Sequence, residues 1–179
     1  MEDKELLEVV NEEGIPTGII LSRKEIHQKN LLHNEIAVFI INKDGKLLLQ
    51  KRSKWKKSKP LCWGASCAGH VDIHEKVTDA ALRELKEELG LAIEEQELNP
   101  LILNRLRRGN KNSHIRSWYY VETSYDIYDF VLQKEEVEEV RWFDIDEVIK
   151  NIGNSEFTFK EDSMEPLIRL KEIIEEKLI

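Results

Sequence analysis

Cysteine is scarce in this chain. Cys62 and Cys67 are too few and too close together for a disulfide framework, and no second pair completes a zinc site. Long apolar runs are missing too, so no segment has the length needed to cross a bilayer. The opening "MEDKELLEVV" is acidic and lacks the basic stretch and apolar run of a secretory signal. These absences together set the expectation of a cytoplasmic protein without a membrane partner. Positive charge is in deficit, with 27 Lys and Arg against 35 Asp and Glu, a net charge of −8. That balance excludes a general binder of nucleic acid polymers. It does not exclude a small phosphorylated substrate, because carboxylates can hold divalent cations and the cations then face phosphates. Internal repeats, low-complexity tracts and linkers are also absent from the sequence.

What is present suits one soluble domain over residues 1–179: 41% apolar and 35% charged residues in a chain of 179. "LLEVVNEEGIPTGIILSRKEIH" reads as two short strands around a Gly-Ile-Pro turn, with a helix starting near Ser22. Val38 to Ile41 and Lys46 to Gln50 flank Asp44-Gly45, a strong hairpin signal. "KWKKSKPLCWGASCAG" reads as irregular. Helical spacing runs from Thr78 to Leu89. "RSWYYVETSY" and "EEVRWFDIDEVI" contain strand-like runs, the second leading into a short helix. The tail has Leu167, Ile168, Leu170, Ile173, Ile174 and Leu178 at helical spacing. The mixture predicts α/β or α+β layers, and the apolar tail helix makes a homodimer an expectation.

The densest chemistry lies in "GHVDIHEKVTDAALRELKEELGL", Gly69 to Leu91. On a helical wheel with Glu84 at zero, Glu88 falls near about +40° and Glu87 near about −60°. Arg83 lies beside Glu87, and Ala80 among the acids leaves space. Ala81, Leu85 and Leu89 form a separate apolar arc, and Gly90 stands where a C-cap glycine belongs. Like charges at these spacings cost a few tenths of a kcal/mol per pair, roughly, on an exposed helix. One reading is a solvated face whose repulsion Arg83, Lys86 and water absorb. The other is a set of hard oxygen ligands gathered for Mg²⁺ or Mn²⁺.

Upstream residues favour the second reading. Gly69, Glu75, Arg83, Glu84, Leu85, Glu87, Glu88, Gly90 and Leu91 fill every specified position of the pattern G-x5-E-x7-R-E-U-x-E-E-x-G-U, where U is a bulky aliphatic residue. The segment resembles the Nudix box. The resemblance implies a mixed β-sheet sandwiched between helices, with the box at 69–91 as loop–helix–loop in a core domain of about 33–165. It implies a metal-dependent pyrophosphohydrolase that cleaves a diphosphate linkage in a small nucleotide-like substrate by water attack. By position, Glu87 and Glu88 are expected as metal ligands, and Glu84 as a ligand or a neighbour of the attacking water. The Gly69 carbonyl is a further expected ligand. Arg83 and Glu75 are expected to pair and fix the loop against the helix. Glu136, in "KEEVEEVRWF", is a candidate base from a distal loop, against the reading of a solvated acidic turn.

A wider resemblance, through "EVVNEEGIPTGIILSRKEIHQKNLLHNEIAVFIINKDGKLLLQKRS" and "CWGASCAGHV", is to the Nudix branch related to isopentenyl-diphosphate isomerase. Isomerases carry a catalytic Cys directly before the box glycine. Here Ala68 holds that place and Cys67 is one residue early, which on a strand faces the other way. The segment expected to supply their opposing Glu, "NSHIRSWYYVE", has no acid in register. The isomerase is therefore the alternative reading, and a non-catalytic nucleotide-binding sensor a second one. His27, His33 and His70 resemble the isomerases' metal-binding histidines, with loop or strand-entry roles as the plainer reading. Arg52, and Lys56 beside it, are expected to grip the diphosphate, since arginine's planar fork suits phosphate oxygens. A second basic cluster comprises Arg105, Arg107, Arg108, Lys111 and Arg116. Trp55, Trp63 and Trp118 could stack a nucleobase or simply pack.

Overall fold

The computed structural model describes residues 5–110 and 112–177, so Lys111 and Leu178 lie outside the described residues. The apolar stretch Ile36 to Ile41 becomes the central strand β3 (Asn34–Asn42). One edge of β3 pairs in parallel with β8 (His114–Thr123) over nine residues, from Asn34 with Ile115 to Asn42 with Thr123. Its other edge is divided. Ile40 and Ile41 pair with β4 (Leu47–Arg52), while Glu35 to Val38 pair with β6 (Cys67–His70), both antiparallel. Ser66 closes the fork between them. Its buried hydroxyl accepts from the Ile40 N–H at 2.7 Å and donates to the Leu48 carbonyl at 2.5 Å. β5 (Trp63–Gly64) and β9 (Val137–Phe143) extend the sheet from β4, and β7 (Asn99–Arg107) from β8.

Because side chains alternate along a strand, β3 feeds two cores. Ala37, Phe39 and Ile41 face a layer made by α3 (Ile145–Lys150) and α4 (Met164–Lys177), through Val148, Leu167, Leu170 and Ile174. Ile36, Val38 and Ile40 face α2 (Val77–Leu89), through Ala80, Ala81, Leu85 and Leu89. The result is a mixed sheet sandwiched between helices. A separate hairpin of β1 (Leu6–Val10) and β2 (Pro16–Ser22) leads into α1 (Arg23–Lys29). Ser22 caps α1 in a reciprocal pair with Glu25, the cap-plus-acid spacing that signals a helix start. Among the described residues no helix is long and apolar enough to cross a membrane.

Two segments depart from the sequence reading. The stretch expected to be irregular contains β5 and β6, and "NPLILNRLR" forms β7. Both depend on partners far along the chain, and β7 is interrupted by two register shifts that break its alternation. In the tail, Ile168 is exposed while Leu167, Leu170 and Ile174 are buried.

Gly90 ends α2 at φ +68°, with the Gly90 N–H bonded to the Lys86 carbonyl and the Leu91 N–H to the Leu85 carbonyl. A Cβ here would lie 2.7 Å from Cβ of Val131. Val131 belongs to the 124–136 segment, which docks on the helix end: its N–H donates to the Leu89 carbonyl at 2.9 Å, and that of Gln133 to the Glu88 carbonyl at 3.0 Å. Gly90→Ala combines left-handed strain with this clash. The expected destabilisation is about 1–2 kcal/mol or more, a fall in thermal midpoint of at least about 2–4 °C. Calorimetry checks it, and an unchanged midpoint would contradict the capping geometry.

Candidate active site

The box turns its acids inward. β6 delivers Gly69, the chain loops through Glu75, and α2 returns along the sheet with Glu84 against Gly69 and with Glu87 and Glu88 lining the same cleft. Glu88 is 5% exposed and Ala80 is fully buried. The face that the wheel sets apart from the apolar arc is thus partly an interior surface, and only Glu87 reaches well into solvent. A Cβ on Gly69 would lie 2.1 Å from Oε1 of Glu84. The glycine is what lets that carboxylate lie against the β6 backbone.

Arg83 stands behind this wall and holds it together. Its Nε and Nη2 donate to the two oxygens of Glu75 at 2.8 and 2.9 Å, and Nη2 also reaches the His70 carbonyl at 3.1 Å. Its Nη1 donates to Glu84 at 2.8 Å and to Glu87 at 3.4 Å. The guanidinium is correspondingly held more basic than usual, first by the hydrogen bond to Glu75. Burial pushes the Glu84 carboxyl up to about 7, against the pull of Arg83 and with the help of Glu87 and Glu136. Glu88 is pushed up to about 8 by burial, then by the charge of Glu84. Two acids that resist ionisation, Glu88 buried and Glu84 partly so, form a site short of positive charge. Such a donor set fits a divalent cation of the Mg²⁺ or Mn²⁺ type.

Glu88 has close company. Gln50 of β4 donates Nε2–H to its Oε2 at 3.0 Å, and the buried thiol of Cys67 lies near enough to feel the charge of the same carboxylate. Gln50 Oε1 is buried with no partner among the described residues. An orphaned buried acceptor costs about 1–3 kcal/mol, comparable with what a hydrogen bond to a charged group returns. Cys67 is fully buried and its thiol is pushed well up, first by burial and then by Glu88 and Glu84. Ala68, not Cys67, lines the cleft.

The acids form one wall of a cleft of about 720 Å³. Arg52, Lys56, Gln133 and Glu136 line it as well. Arg52 Nε is bonded to the Ser58 carbonyl at 3.2 Å, and Lys56 pairs with Glu136. Trp55 is 74% exposed and outside the cleft lining. Trp63 packs edge-on to Phe143 in the core, and Trp118 stacks on Phe39 at the cleft floor. The second basic cluster is largely neutralised: Arg105 pairs with Glu165, Arg107 with Asp162, Arg108 with Glu12 and Arg116 with Glu35.

A second polar centre adjoins the first along the cleft. His27, His33 and His70 bring ligand nitrogens within 4.8 Å of one another. His27 Nε2 is buried without a partner among the described residues. Burial, with His33 and His70 adding to it, holds His27 down at about 4, so the imidazole is neutral and fit to donate a lone pair. Glu35 lies in the middle: Oε1 is 3.2 Å from His33 Nε2, 3.7 Å from His70 Nε2 and 3.5 Å from His114 Nδ1. Burial would raise its pKa, but Arg116 and His33 hold it well below the usual carboxylate range. Glu35, His114, Gln50 and Gln133 are absent from the sequence reading of the site. For Glu35 and Gln50 a signal existed, a polar residue at the end of an apolar strand run. Gln133 is brought in only by the docking of its loop.

Comparison with known proteins fits this geometry. The NUDIX domain family model matches residues 31–162. An uncharacterized Nudix hydrolase of Clostridium acetobutylicum is 32% identical over 161 residues, covering 85% of this chain and 76% of that protein. An isopentenyl-diphosphate delta-isomerase of Aliivibrio fischeri is 29% identical over 162 residues, covering 87% of this chain and 88% of the isomerase. Among solved structures, a Deinococcus radiodurans protein superposes with a TM-score of 0.73 at 21% identity, covering 93% of this chain and 99% of its own. The chain belongs to the Nudix hydrolase family, in the branch that also contains the isopentenyl-diphosphate isomerases.

Proposed function

We propose that the protein is a metal-dependent Nudix pyrophosphohydrolase that cleaves a diphosphate linkage in a small, nucleotide-like substrate. The observation that carries the reading is that Glu84, Glu87, Glu88 and Gly69 line one cleft together, with Arg52 and Lys56 also in its lining. Glu84, Glu87 and Glu88, with the Gly69 carbonyl, would hold Mg²⁺ or Mn²⁺. A divalent cation bound there supplies charge neutralisation of the diphosphate, activation of a water and stabilisation of the leaving oxygen. Arg83 and Glu75 hold the acids in place from behind. Arg52 and Lys56 offer donors to the phosphate oxygens. Glu136 is the acid that the distal loop brings to the cleft, where it pairs with Lys56 and stands as the candidate base for the attacking water. A cleft of about 720 Å³ accommodates a nucleotide-sized compound. The imidazoles of His27, His33 and His70 fit a second cation of the transition series better than Mg²⁺.

Two features speak for the hydrolase over the isomerase. Cys67 is buried against Glu88, away from the cleft lining. The β8 residues that line the cleft, Arg116 and Trp118, include no acid to oppose it. The intact acid set speaks against a pure nucleotide sensor.

With a panel of nucleotide-like and prenyl diphosphates and Mg²⁺ or Mn²⁺, the expected result is metal-dependent phosphoanhydride cleavage without interconversion of isopentenyl and dimethylallyl diphosphates. Glu87→Gln and Glu88→Gln are expected to lose more than the roughly 10–100-fold typical of residues that only support a ligand, while circular dichroism stays unchanged. Full turnover in both variants would overturn the metal-face reading. Gly69→Ala is a subtler probe. The added methyl displaces the flexible end of Glu84, not the backbone, so the fold is expected to survive and turnover to fall about tenfold or more. Turnover equal to that of the unsubstituted chain would show that the Glu84 position is immaterial.

A further inference from the structure

Glu88 sits at the junction of α2 with the forked part of the sheet, and the β4 branch of the fork contributes a donor to it. From β4, Gln50 donates Nε2–H to Oε2 at 3.0 Å. From β6, the buried Cys67 thiol lies near enough to feel the charge of the same carboxylate. Both residues are at least nine-tenths buried. Gln50 follows Leu47, Leu48 and Leu49, and its own Oε1 is buried without a partner among the described residues. A methionine would occupy the same length of strand without orphaning an acceptor, so the amide gains the fold little. What the amide does is fix a rotamer. A carboxylate with one oxygen held from the sheet side presents the other in a single orientation. A buried unsatisfied group of this kind is expected where function keeps a polar residue in an apolar place.

We propose that Gln50 is a positioning residue for Glu88: its amide clamps the carboxylate from behind so that the other oxygen remains available to a divalent cation in the cleft. The inference rests on the reading of Glu88 as a cation ligand. Outer residues that orient a ligand change metal affinity by about 10–100-fold when removed.

The test is Mn²⁺ binding to the metal-stripped full chain, followed by calorimetry and by the electron paramagnetic resonance of the bound ion. Gln50→Met is expected to melt within a few degrees of the unsubstituted chain, roughly, as a near-isosteric exchange does. Its Mn²⁺ affinity is expected to fall about 10–100-fold, with an altered spectrum. Gln50→His, which keeps an N–H at similar reach, is expected to recover part of the loss. No recovery would assign the loss to packing and overturn the proposal. A Gln50→Met chain that does not fold would overturn the premise that the amide matters little to stability, and the proposal with it. Mn²⁺ affinity unchanged in Gln50→Met but weakened in Glu88→Gln would overturn the clamp and leave the proposed function standing. Failure of Glu88→Gln to weaken binding would overturn the ligand role of Glu88 and everything built on it.

Discussion

The Arg83 guanidinium is the tie on which the site depends. It joins the loop through Glu75, the end of β6 through the His70 carbonyl, and the helix through Glu84 and Glu87. A fork of five N–H donors is the side chain able to reach so many acceptors at fixed angles. Remove it and three carboxylates remain, Glu88 buried and Glu84 partly so, with no fixed positive charge directly behind them. The acids then repel one another, and the loop that carries Glu75 loses its anchor. The geometry of Gly69 follows from the same constraint. Glu84 can lean on the β6 backbone and still accept from Arg83 only because no Cβ is in the way.

Around that tie the fold places complementary chemistry. The forked edge of β3 lets β4 and β6 lie side by side, which sets Gln50 and Cys67 under Glu88 and brings His70 next to His33. The 124–136 segment caps the carbonyls of Glu88 and Leu89 and so carries Gln133 and Glu136 to the cleft. The helix end that needs capping and the loop that carries a candidate base are thus one structural solution. The N-terminal hairpin contributes from the far side. Glu5 accepts from His70 Nδ1 at 2.8 Å and pairs with Arg23 at 2.9 Å, which links β1 to the box loop.

What could be read from the sequence was local. The box occupies 23 consecutive residues, so helix periodicity and spacing alone bring Glu84, Glu87 and Glu88 to one face. The hairpin at Asp44-Gly45 and the cap at Ser22 are equally short-range, and both appear in the structure. What was not legible depends on strand register, which pairs residues far apart in the chain. Glu35 meets Arg116 across 81 residues, and Gln50 meets Glu88 across 38. β5 and β6 are two and four residues long, too short for any alternation to be seen. The inward turn of the acidic face was hidden for a similar reason. A helical wheel orders the faces of a helix and does not say which of them the sheet covers.

The central claim is that Glu84, Glu87 and Glu88 together form a cation site. Anomalous diffraction from crystals grown with Mn²⁺ tests it most directly, because it locates the ion without reference to turnover. A peak among these carboxylates at oxygen-ligand distance, about 2.0–2.4 Å, is the result required, with or without a second peak between His27, His33 and His70. A peak at the histidines alone, with none at the acids in saturating Mn²⁺, would contradict it.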